Sequence, residues 1–357
     1  MNDDQNTAVV TLTVGAKDLG KKIKNEWTKI DLYVPEQLKK MNDFEEGIIF
    51  YDCKLRELIE DLFENYNNII FIMALGIVVR IISPYLQNKK VDPAVVTVDE
   101  RGKNVISTLS GHLGGANKLT KKLADILNSN AVITTATDCQ NKLAIDLLAQ
   151  KIDSVIKPFK NLKFANAAIV NNNQLNIFSN YKLPLSDNQN INICPLSQLD
   201  TKLPKQGFTV IISNKNYDFE KEYLQLIPKN ITVGIGCKRG IVKKKIENAI
   251  KKSLDKLNLQ KESIKKLATI DLKADEKNLV AYADENNLSL DIIDRDKIKN
   301  ANLKNISYSE FVKNTVGVAA VCEPAAILSS NNGKLILKKT KYDQVTIALV
   351  EEEIAID

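Results

Sequence analysis

The sequence has few of the residues that build metal centres or disulfide frameworks. Among 357 residues there is one histidine, His112, and there are five cysteines without C-x-x-C spacing. One histidine and scattered thiols do not make a ligand set, so we expect no metal site in the protein. The odd number of widely spaced cysteines also favours reduced thiols and a cytoplasmic location. The cysteines are Cys53, Cys139, Cys194, Cys237 and Cys322.

Long apolar runs and a targeting segment are also lacking. The longest uncharged apolar run, 69–79, is shorter than the roughly 20 residues that a membrane-spanning helix needs. The opening residues MNDDQNT are polar and acidic, whereas a signal peptide begins with a basic and then an apolar region. We therefore expect no membrane association.

Aromatic residues are scarce, at 6% of the chain, and the lysines are scattered along it. Nucleic-acid-binding surfaces group basic residues and interleave aromatic side chains, so nucleic acid is not the expected partner. The formal net charge of +6 reflects either a lysine-rich surface or long-range attraction for an anionic ligand. With 44% hydrophobic and 26% charged residues, a chain of this length predicts two or three globular domains.

Alternating strand and helix patterns predict an N-terminal doubly wound α/β domain over 1–150. Strands are predicted at 8–14, 30–34, 48–51, 69–74, 94–98, 105–106 and 131–134. Gly15 is expected to end the first strand, and Arg101-Gly102-Lys103 to form a hairpin turn. Helices are predicted up to about 27, over 53–66, through 78–82, over 117–127, and from an N-cap at Asp138 through Leu143 to 148.

The rest of the chain predicts two further α/β units. A small middle module, mostly β or α/β, is expected over 151–229, where Asn and Pro are frequent. Its strand candidates are 165–170, 174–178, 191–193 and 209–212. A separate C-terminal α/β domain over 230–357 is expected to open with a strand at 231–235 and a glycine turn at 234–240. It is expected to end in a hairpin of strands 335–338 and 344–350.

The stretch 73–117 concentrates the polar residues that chemistry needs. Its end, SGHLGGAN, holds His112 between glycines at the start of a predicted helix. A free imidazole has a pKa near 6.5, so His112 is the leading acid/base candidate, although it could instead hydrogen-bond a turn. Gly114 and Gly115, with Gly111 before them, either offer backbone N–H groups to an oxyanion or carboxylate or only make a tight turn.

Four neighbours complete the candidate site in this stretch. Ser110 either donates to a substrate carbonyl or shapes the turn, and Asn117 either caps the helix or contacts substrate. Asp99 and Glu100 end a strand and could orient His112, act as the base, or pair with nearby cations. Arg80 follows an apolar run, so it should pair with an acid such as Asp99 or clamp a substrate carboxylate.

The C-terminal unit supplies weaker candidates. Gly236 lies in a G-x-G-x-x-x-G spacing, which is not the dinucleotide fingerprint, so a nicotinamide site is not expected. Lys238 and Arg239 follow it and either meet substrate carboxylates or lie on the solvated surface. Glu323, before Pro324, is a candidate for a helix start and for a substrate contact.

Two blocks of motifs carry a family resemblance. They are RIISPYL, KKVDPAVVTVDERGKNVIS and LSGHLGGAN in the N-terminal half, and VGIGCKRG and VGVAAVCEPAAILSS in the C-terminal half. In this order they resemble the cobalt-precorrin-5A hydrolases of anaerobic cobalamin biosynthesis. The resemblance covers nearly the whole chain, with no sharp signature over 150–230.

The resemblance implies a reaction and its partners. Water would open the δ-lactone of cobalt-precorrin-5A, a cobalt-bearing tetrapyrrole, and acetaldehyde would leave to give cobalt-precorrin-5B. The cobalt belongs to the substrate, so no resident cofactor is expected, and His112 could also face that cobalt. Transient contact with neighbouring pathway enzymes is a further expectation. Alternatives are a non-catalytic tetrapyrrole-binding or handover module, and a phosphate- or nucleotide-binding protein that uses SGHLGG.

Overall fold

The computed structural model consists of two compact units, 1–147 and 148–357. It describes residues 6–40, 46–88, 91–140, 142, 144–183, 190–199, 203–301, 303, 306–310, 317–318 and 320–354. The first residues of the motifs KKVDPAVVTVDERGKNVIS and VGVAAVCEPAAILSS therefore lie outside the described residues. Within the described residues, no helix combines the length and apolar composition that crossing a membrane requires.

The N-terminal unit is built on a seven-stranded sheet of order β3-β2-β1-β4-β5-β6-β7. The strands are β1 (Thr7–Thr11), β2 (Asp31–Pro35), β3 (Ile48–Tyr51), β4 (Asn68–Ile72), β5 (Ala94–Val98), β6 (Asn104–Leu109) and β7 (Asn130–Val132). The helices are α1 (Val14–Glu26), α2 (Leu55–Asn65), α3 (Leu75–Ile82), α4 (Ala116–Leu127), α5 (Ala136–Cys139) and α6 (Ile145–Lys151).

Burial on both faces explains the consecutive apolar residues of the central strands. Every residue of β1, β4 and β5 is buried, which is typical of a parallel sheet covered by helices on each side. Alternate residues enter two cores, with Val9 and Ile70 in one and Val10 and Phe71 in the other. Strand order reverses between β1 and β4, so the predicted doubly wound α/β fold is confirmed.

The β5–β6 hairpin decides which motif residues can meet. The two strands are antiparallel, with Val98 opposite Val105 and Val95 opposite Leu109. A strand rises about 3.3 Å per residue, so the chain that leaves β5 and the chain that leaves β6 lie at opposite edges of the sheet, roughly 15 Å apart. The turn between them passes through Gly102 at φ 65°, as the predicted hairpin requires.

Two local predictions in this unit are wrong. Strand β1 ends at Thr11, and Gly15 lies inside α1, because Thr13 caps that helix by accepting from the backbone N–H of Ala16. Asp138 is not an N-cap: it lies within the short helix α5, whose N-cap is Thr135. The predicted helix is therefore divided between α5 and α6, and Leu143 lies outside the described residues.

The second unit contains two five-stranded sheets, of order β10-β9-β11-β12-β8 and β15-β14-β13-β17-β16. The first contains β8 (Ser154–Lys157), β9 (Leu175–Ser179), β10 (Ile191–Cys194), β11 (Phe208–Ile212) and β12 (Tyr223–Pro228), with helix α7 (Leu162–Val170). The second contains β13 (Ile231–Cys237), β14 (Ile264–Ile270), β15 (Ser289–Ile293), β16 (Lys334–Tyr342) and β17 (Val345–Glu351). Its helices are α8 (Lys243–Lys256), α9 (Lys277–Glu285), α10 (Arg295–Asn300) and α11 (Cys322–Ser329).

The second unit also corrects two predictions. The segment 165–170 is part of α7 rather than a strand, because its alanines and isoleucine pack one helix face onto the sheet. Gly234 and Gly236 lie in β13 rather than in a turn. Position 234 is a glycine because a Cβ there would collide with the Cys322 carbonyl oxygen of α11. The terminal hairpin forms as predicted. The boundaries at 150 and 229 stay predictions.

Candidate active site

The loop from Ser110 to Gly115 joins β6 to α4 and presents His112. Ser110 has φ 57° and Gly115 has φ 90°, so the loop is a tight left-handed turn at both of its ends. The Ser110 hydroxyl donates to the Asp92 carbonyl oxygen at 3.1 Å, which fixes the loop beside the start of β5. A Cβ at Gly114 would lie 2.9 Å from the Ser110 carbonyl oxygen, so only glycine fits there.

The backbone N–H groups of this loop are largely used within it. Gly115 N donates to the His112 carbonyl oxygen at 3.0 Å, and Asn117 N donates to the Gly111 carbonyl oxygen at 2.9 Å. The N-cap of α4 is Gly115, not Asn117. These bonds favour a turn-forming role for Gly111 and Gly115 over binding of an oxyanion, and a contact of Gly114 with substrate stays a prediction.

His112 lies between two carboxylates. Its Nε2 is 2.7 Å from Asp138 Oδ2 and 3.2 Å from the Thr137 hydroxyl oxygen, and its Nδ1 is 3.2 Å from Asp146 Oδ2. An ionised carboxylate can only accept hydrogen bonds, so the imidazole satisfies both partners when it is protonated at both nitrogens. These contacts fix the orientation of the ring and favour its charged imidazolium form.

The surroundings raise the pKa of His112 above its usual value. The hydrogen bond to Asp146 is the largest cause, burial of the ring opposes it, and the bond to Asp138 adds to it. Nearby negative charge favours the charged imidazolium, which is the opposite of what burial alone would do. His112 therefore keeps its proton to higher pH than a free histidine.

The buried Asn117 side chain links Asp138 by hydrogen bonds to β6 and to the N-cap of α5. Its amide donates to Asp138 Oδ2 at 2.9 Å and to the Thr135 hydroxyl oxygen at 3.1 Å, while the Ser107 hydroxyl donates to its Oδ1 at 2.6 Å. Asn117 is 6% exposed. The predicted capping role is wrong, and Asn117 instead holds the carboxylate that contacts His112, while its contact with substrate stays a prediction.

Asp138 and Asp146 were missed as site residues, although one topological signal points to Asp138. Strands β6 and β7 are parallel neighbours, so the residues that follow them lie at the same edge of the sheet. His112 follows β6 and Asp138 follows β7. Within the described residues, no group of three or more His, Cys, Asp or Glu side chains is arranged to hold a metal ion.

Asp99 and Glu100 lie at the other end of the hairpin. Asp99 accepts from the backbone N–H groups of Arg101 and Asn104, at 2.9 and 2.6 Å. Burial works to raise the pKa of Asp99, but these backbone donors and that of Lys103 lower it below its usual value. Glu100 accepts from the Thr13 hydroxyl at 2.7 Å. The prediction that either residue orients His112 is wrong, because the antiparallel hairpin separates them.

Arg80 is exposed on α3, and the hydrogen-bond donors to Asp99 come from residues 101–104 rather than from Arg80. The carboxylate of Asp99 is already occupied by its own turn. Within the described residues, no acid lies within ion-pair distance of Arg80, so its guanidinium is available to an anionic ligand. Its role as a clamp for a substrate carboxylate stays a prediction.

The four C-terminal candidates each make contacts within their own domain, and their contacts with substrate stay predictions. Gly236 lies in β13, where a Cβ would lie 2.6 Å from the Thr346 hydroxyl oxygen, and Lys238 N donates to the Gln344 carbonyl oxygen at 3.2 Å. Arg239 makes an exposed bidentate pair with Asp275, 3.0 Å on each bond.

Glu323 is completely buried in the first turn of α11. It accepts from the Ser307 hydroxyl at 2.9 Å and from Lys339 N at 2.7 Å. Its carboxylate thus joins α11 to β16, which fits the predicted helix-start position and gives it a packing role in this conformation.

Three family profiles match the chain in order. They are "Cobalamin synthesis G N-terminal" over residues 57–138, "Cobalamin biosynthesis central region" over 143–228, and "Cobalamin synthesis G C-terminus" over 231–350. Together with the three sheets, they define a three-domain α/β protein of cobalamin biosynthesis.

Relatives that match over nearly the full length identify the particular family. The cobalt-precorrin-5A hydrolase of Priestia megaterium is 32% identical over 96% of this chain and 94% of its own. That of Salmonella typhimurium is 30% identical over 97% of each chain. A solved cobalamin biosynthesis protein G homolog from Sulfolobus solfataricus is 25% identical, covers 98% of this chain and 99% of its own, and has a TM-score of 0.38. On the two sequence relatives, this chain belongs to the cobalt-precorrin-5A hydrolase family.

Proposed function

We propose that this protein opens the δ-lactone of cobalt-precorrin-5A with water and releases acetaldehyde, giving cobalt-precorrin-5B. The full-length relatives named for this activity support the proposal. The observation that carries it in the structure is the His112 imidazole between Asp138 and Asp146, at 2.7 and 3.2 Å. We call these three residues the His112 network.

The His112 network suits the proton transfers of lactone opening. The water oxygen bonds to the lactone carbonyl carbon, the carbonyl carbon–ring oxygen bond breaks, and the ring oxygen receives a proton. A positioned base and acid near neutral pH accelerate such steps. Two carboxylates and an imidazole in direct contact supply both, and the conjugated macrocycle can accept the electrons of the later C–C cleavage.

The chain needs no resident cofactor in this proposal, because the cobalt arrives with the substrate. The five cysteines are free thiols, which supports a cytoplasmic location. Substrate carboxylates would be held by cations such as Arg80, and contact with enzymes that supply or consume the tetrapyrrole would be transient.

Acetaldehyde release on mixing the purified protein with cobalt-precorrin-5A tests the proposal. A hydrolase forms acetaldehyde and cobalt-precorrin-5B in equal amounts, with repeated turnover. A handover protein would bind cobalt-precorrin-5A and release it unchanged. Stabilisation against heat by nucleotides, but not by corrinoids, would instead support the nucleotide-binding alternative.

A further inference from the structure

We propose that Asp138, not His112, is the residue of the network that touches the substrate, and that His112 and Asp146 are positioning residues that act through it. This inference rests on the proposed hydrolase function and assigns the roles within it. The geometry points to a base and acid at Asp138 whose orientation is set by His112 and Asp146 on its buried side.

Exposure falls along the network from one end to the other. The side chain of Asp138 is 20% exposed, that of His112 is 10% exposed and that of Asp146 is 5% exposed. A substrate therefore reaches Asp138 first, and Asp146 lies at the buried end. Both nitrogens of His112 are already bonded to carboxylates, so the ring has no free nitrogen for a lactone in this conformation.

The two oxygens of Asp138 have different surroundings. Oδ2 accepts from His112 Nε2 at 2.7 Å and from the Asn117 amide at 2.9 Å. Oδ1 lies 3.8 Å from Lys121 Nζ, too far for a strong hydrogen bond. One oxygen is thus fixed by neutral and charged donors, and the other is left for a proton from water.

The proposed step balances in atoms and charge. A water proton moves to Asp138 Oδ1 while the water oxygen bonds to the lactone carbonyl carbon. When the carbon–ring oxygen bond breaks, the same proton moves from Oδ1 to the ring oxygen, which becomes a hydroxyl. The new carboxylic acid of the product then ionises to solvent. His112 keeps both of its protons throughout, and its hydrogen bond to Oδ2 keeps Asp138 oriented between turnovers.

The assignment predicts the direction of a pH dependence. Within the described residues, the charged groups in ion-pair contact with His112 are Asp138 from α5 and Asp146 from α6, and Lys121 from α4 faces Asp138. If Asp138 is the base and His112 must be charged, kcat/KM falls as pH rises through the pKa of His112. If His112 itself were the base, kcat/KM would rise with pH through the same value, because the imidazole would have to lose its proton.

The single histidine makes this test direct. In untagged protein labelled with ¹⁵N, the only imidazole signals belong to His112, so NMR gives its pKa without substrate. The pKa is then compared with the pH profile of kcat/KM for acetaldehyde release by the same protein. A fall in kcat/KM at the NMR pKa supports the inference, and a rise there overturns it while leaving the hydrolase function intact. Absence of acetaldehyde at every pH would overturn both.

Three variants separate the roles further. Asp138→Asn is expected to lower kcat by about 10²–10⁴-fold, as loss of a general base does. Asp146→Asn is expected to lower kcat by roughly 10²-fold with little change in KM, through misplacement of His112 and Asp138. It should also move the NMR pKa and the alkaline fall of kcat/KM down together, which a merely structural residue would not do.

Asp125→Asn, on the exposed face of α4, is the matched control and should change neither quantity. Full activity of Asp138→Asn would contradict the inference. If Asp146→Asn does not fold, the NMR and kinetic comparison in the unaltered protein still decides it.

Discussion

The two ends of the β5–β6 hairpin hold their carboxylates in different ways. At the turn, Asp99 is bonded to backbone N–H groups, and its pKa is lowered. At the other end, Asp138 and Asp146 are bonded to a histidine that can itself gain or lose a proton. The Asp99 carboxylate is satisfied by backbone donors and stabilises one conformation, whereas Asp138 is held through one oxygen by His112 and keeps its other oxygen for a proton. We therefore expect the turn end of the hairpin to serve stability and the His112 end to serve catalysis.

The largest expected effect is on catalysis. His112→Ala should lower kcat for acetaldehyde release by about 10²–10⁴-fold while substrate binding is retained, because the hydrogen bond that orients Asp138 is lost. Asp99→Asn keeps one acceptor oxygen and with it the two backbone hydrogen bonds to Oδ1, and it should remain close to wild-type activity because it lies away from the His112 network. Equal losses in the two variants would remove the distinction between the ends, and near wild-type turnover of His112→Ala would remove the network from the mechanism.

The next largest expected effect is a loss of stability when the loop that presents His112 is altered. Gly114→Ala should cost about 1–3 kcal/mol of unfolding free energy, since its Cβ would overlap the Ser110 backbone. Gly76→Ala is the control: no atom lies within 4 Å of its added Cβ, and alanine favours the helix. Urea denaturation measures both, and a Gly114→Ala protein as stable as the control would show that the loop tolerates a different path.

Arg80 tests whether the edge that carries the hairpin turn also contributes to binding. Helix α3 begins beside that edge, where Met73 N donates to the Val98 carbonyl oxygen. Arg80→Ala should raise KM by about tenfold and leave kcat at saturation nearly unchanged, as expected when a charged hydrogen bond of about 1.4 kcal/mol is lost equally from substrate and transition state. An unchanged KM would refute the clamp.

Replacement of Asp99 by alanine should lower the unfolding free energy only slightly. Asp99→Ala leaves three backbone donors without their acceptor, but the turn is exposed enough for water to replace it. We expect a loss of about 1 kcal/mol, comparable to the loss of a helix cap. Urea denaturation at pH 7 measures it, and a loss several times larger would mean that the turn organises more of the sheet than its contacts indicate.

The smallest expected effect is the pH dependence of stability. The raised pKa of His112 stabilises the fold fully below about pH 6.5, the usual histidine value, and this contribution disappears as pH rises through the raised value. The difference in unfolding free energy between wild type and His112→Ala should therefore shrink with increasing pH. A difference that grows with pH would mean that His112 is buried in its neutral form.

Much of the fold could be predicted because local patterns and burial agree. The apolar runs of β4 and β5 are strands buried on both faces, and the period of 116–127 gives one face of α4. Predictions failed where tertiary contacts override local signals. Gly234 and Gly236 resembled a turn, but they are glycines because α11 and Thr346 pack against β13.

The candidate site was only half predictable. His112 was identified because one histidine between glycines is conspicuous. Asp99 and Glu100, which lie nearer in sequence than Asp138 and Asp146, are the predicted candidates to orient it or act as the base, with pairing to nearby cations as the alternative. The predicted hairpin turn already contradicted that choice, since a reversal of the chain carries His112 away from the residues that precede the turn.

The sequence by itself determined the α/β class, the family and the histidine at the centre of the site. These follow from periodicity and from motifs whose residues are adjacent in the chain. Only the tertiary structure decided which carboxylates contact that histidine, and therefore its charge. A pKa depends on groups within a few ångströms in space, and here those groups come from helices that follow a neighbouring parallel strand.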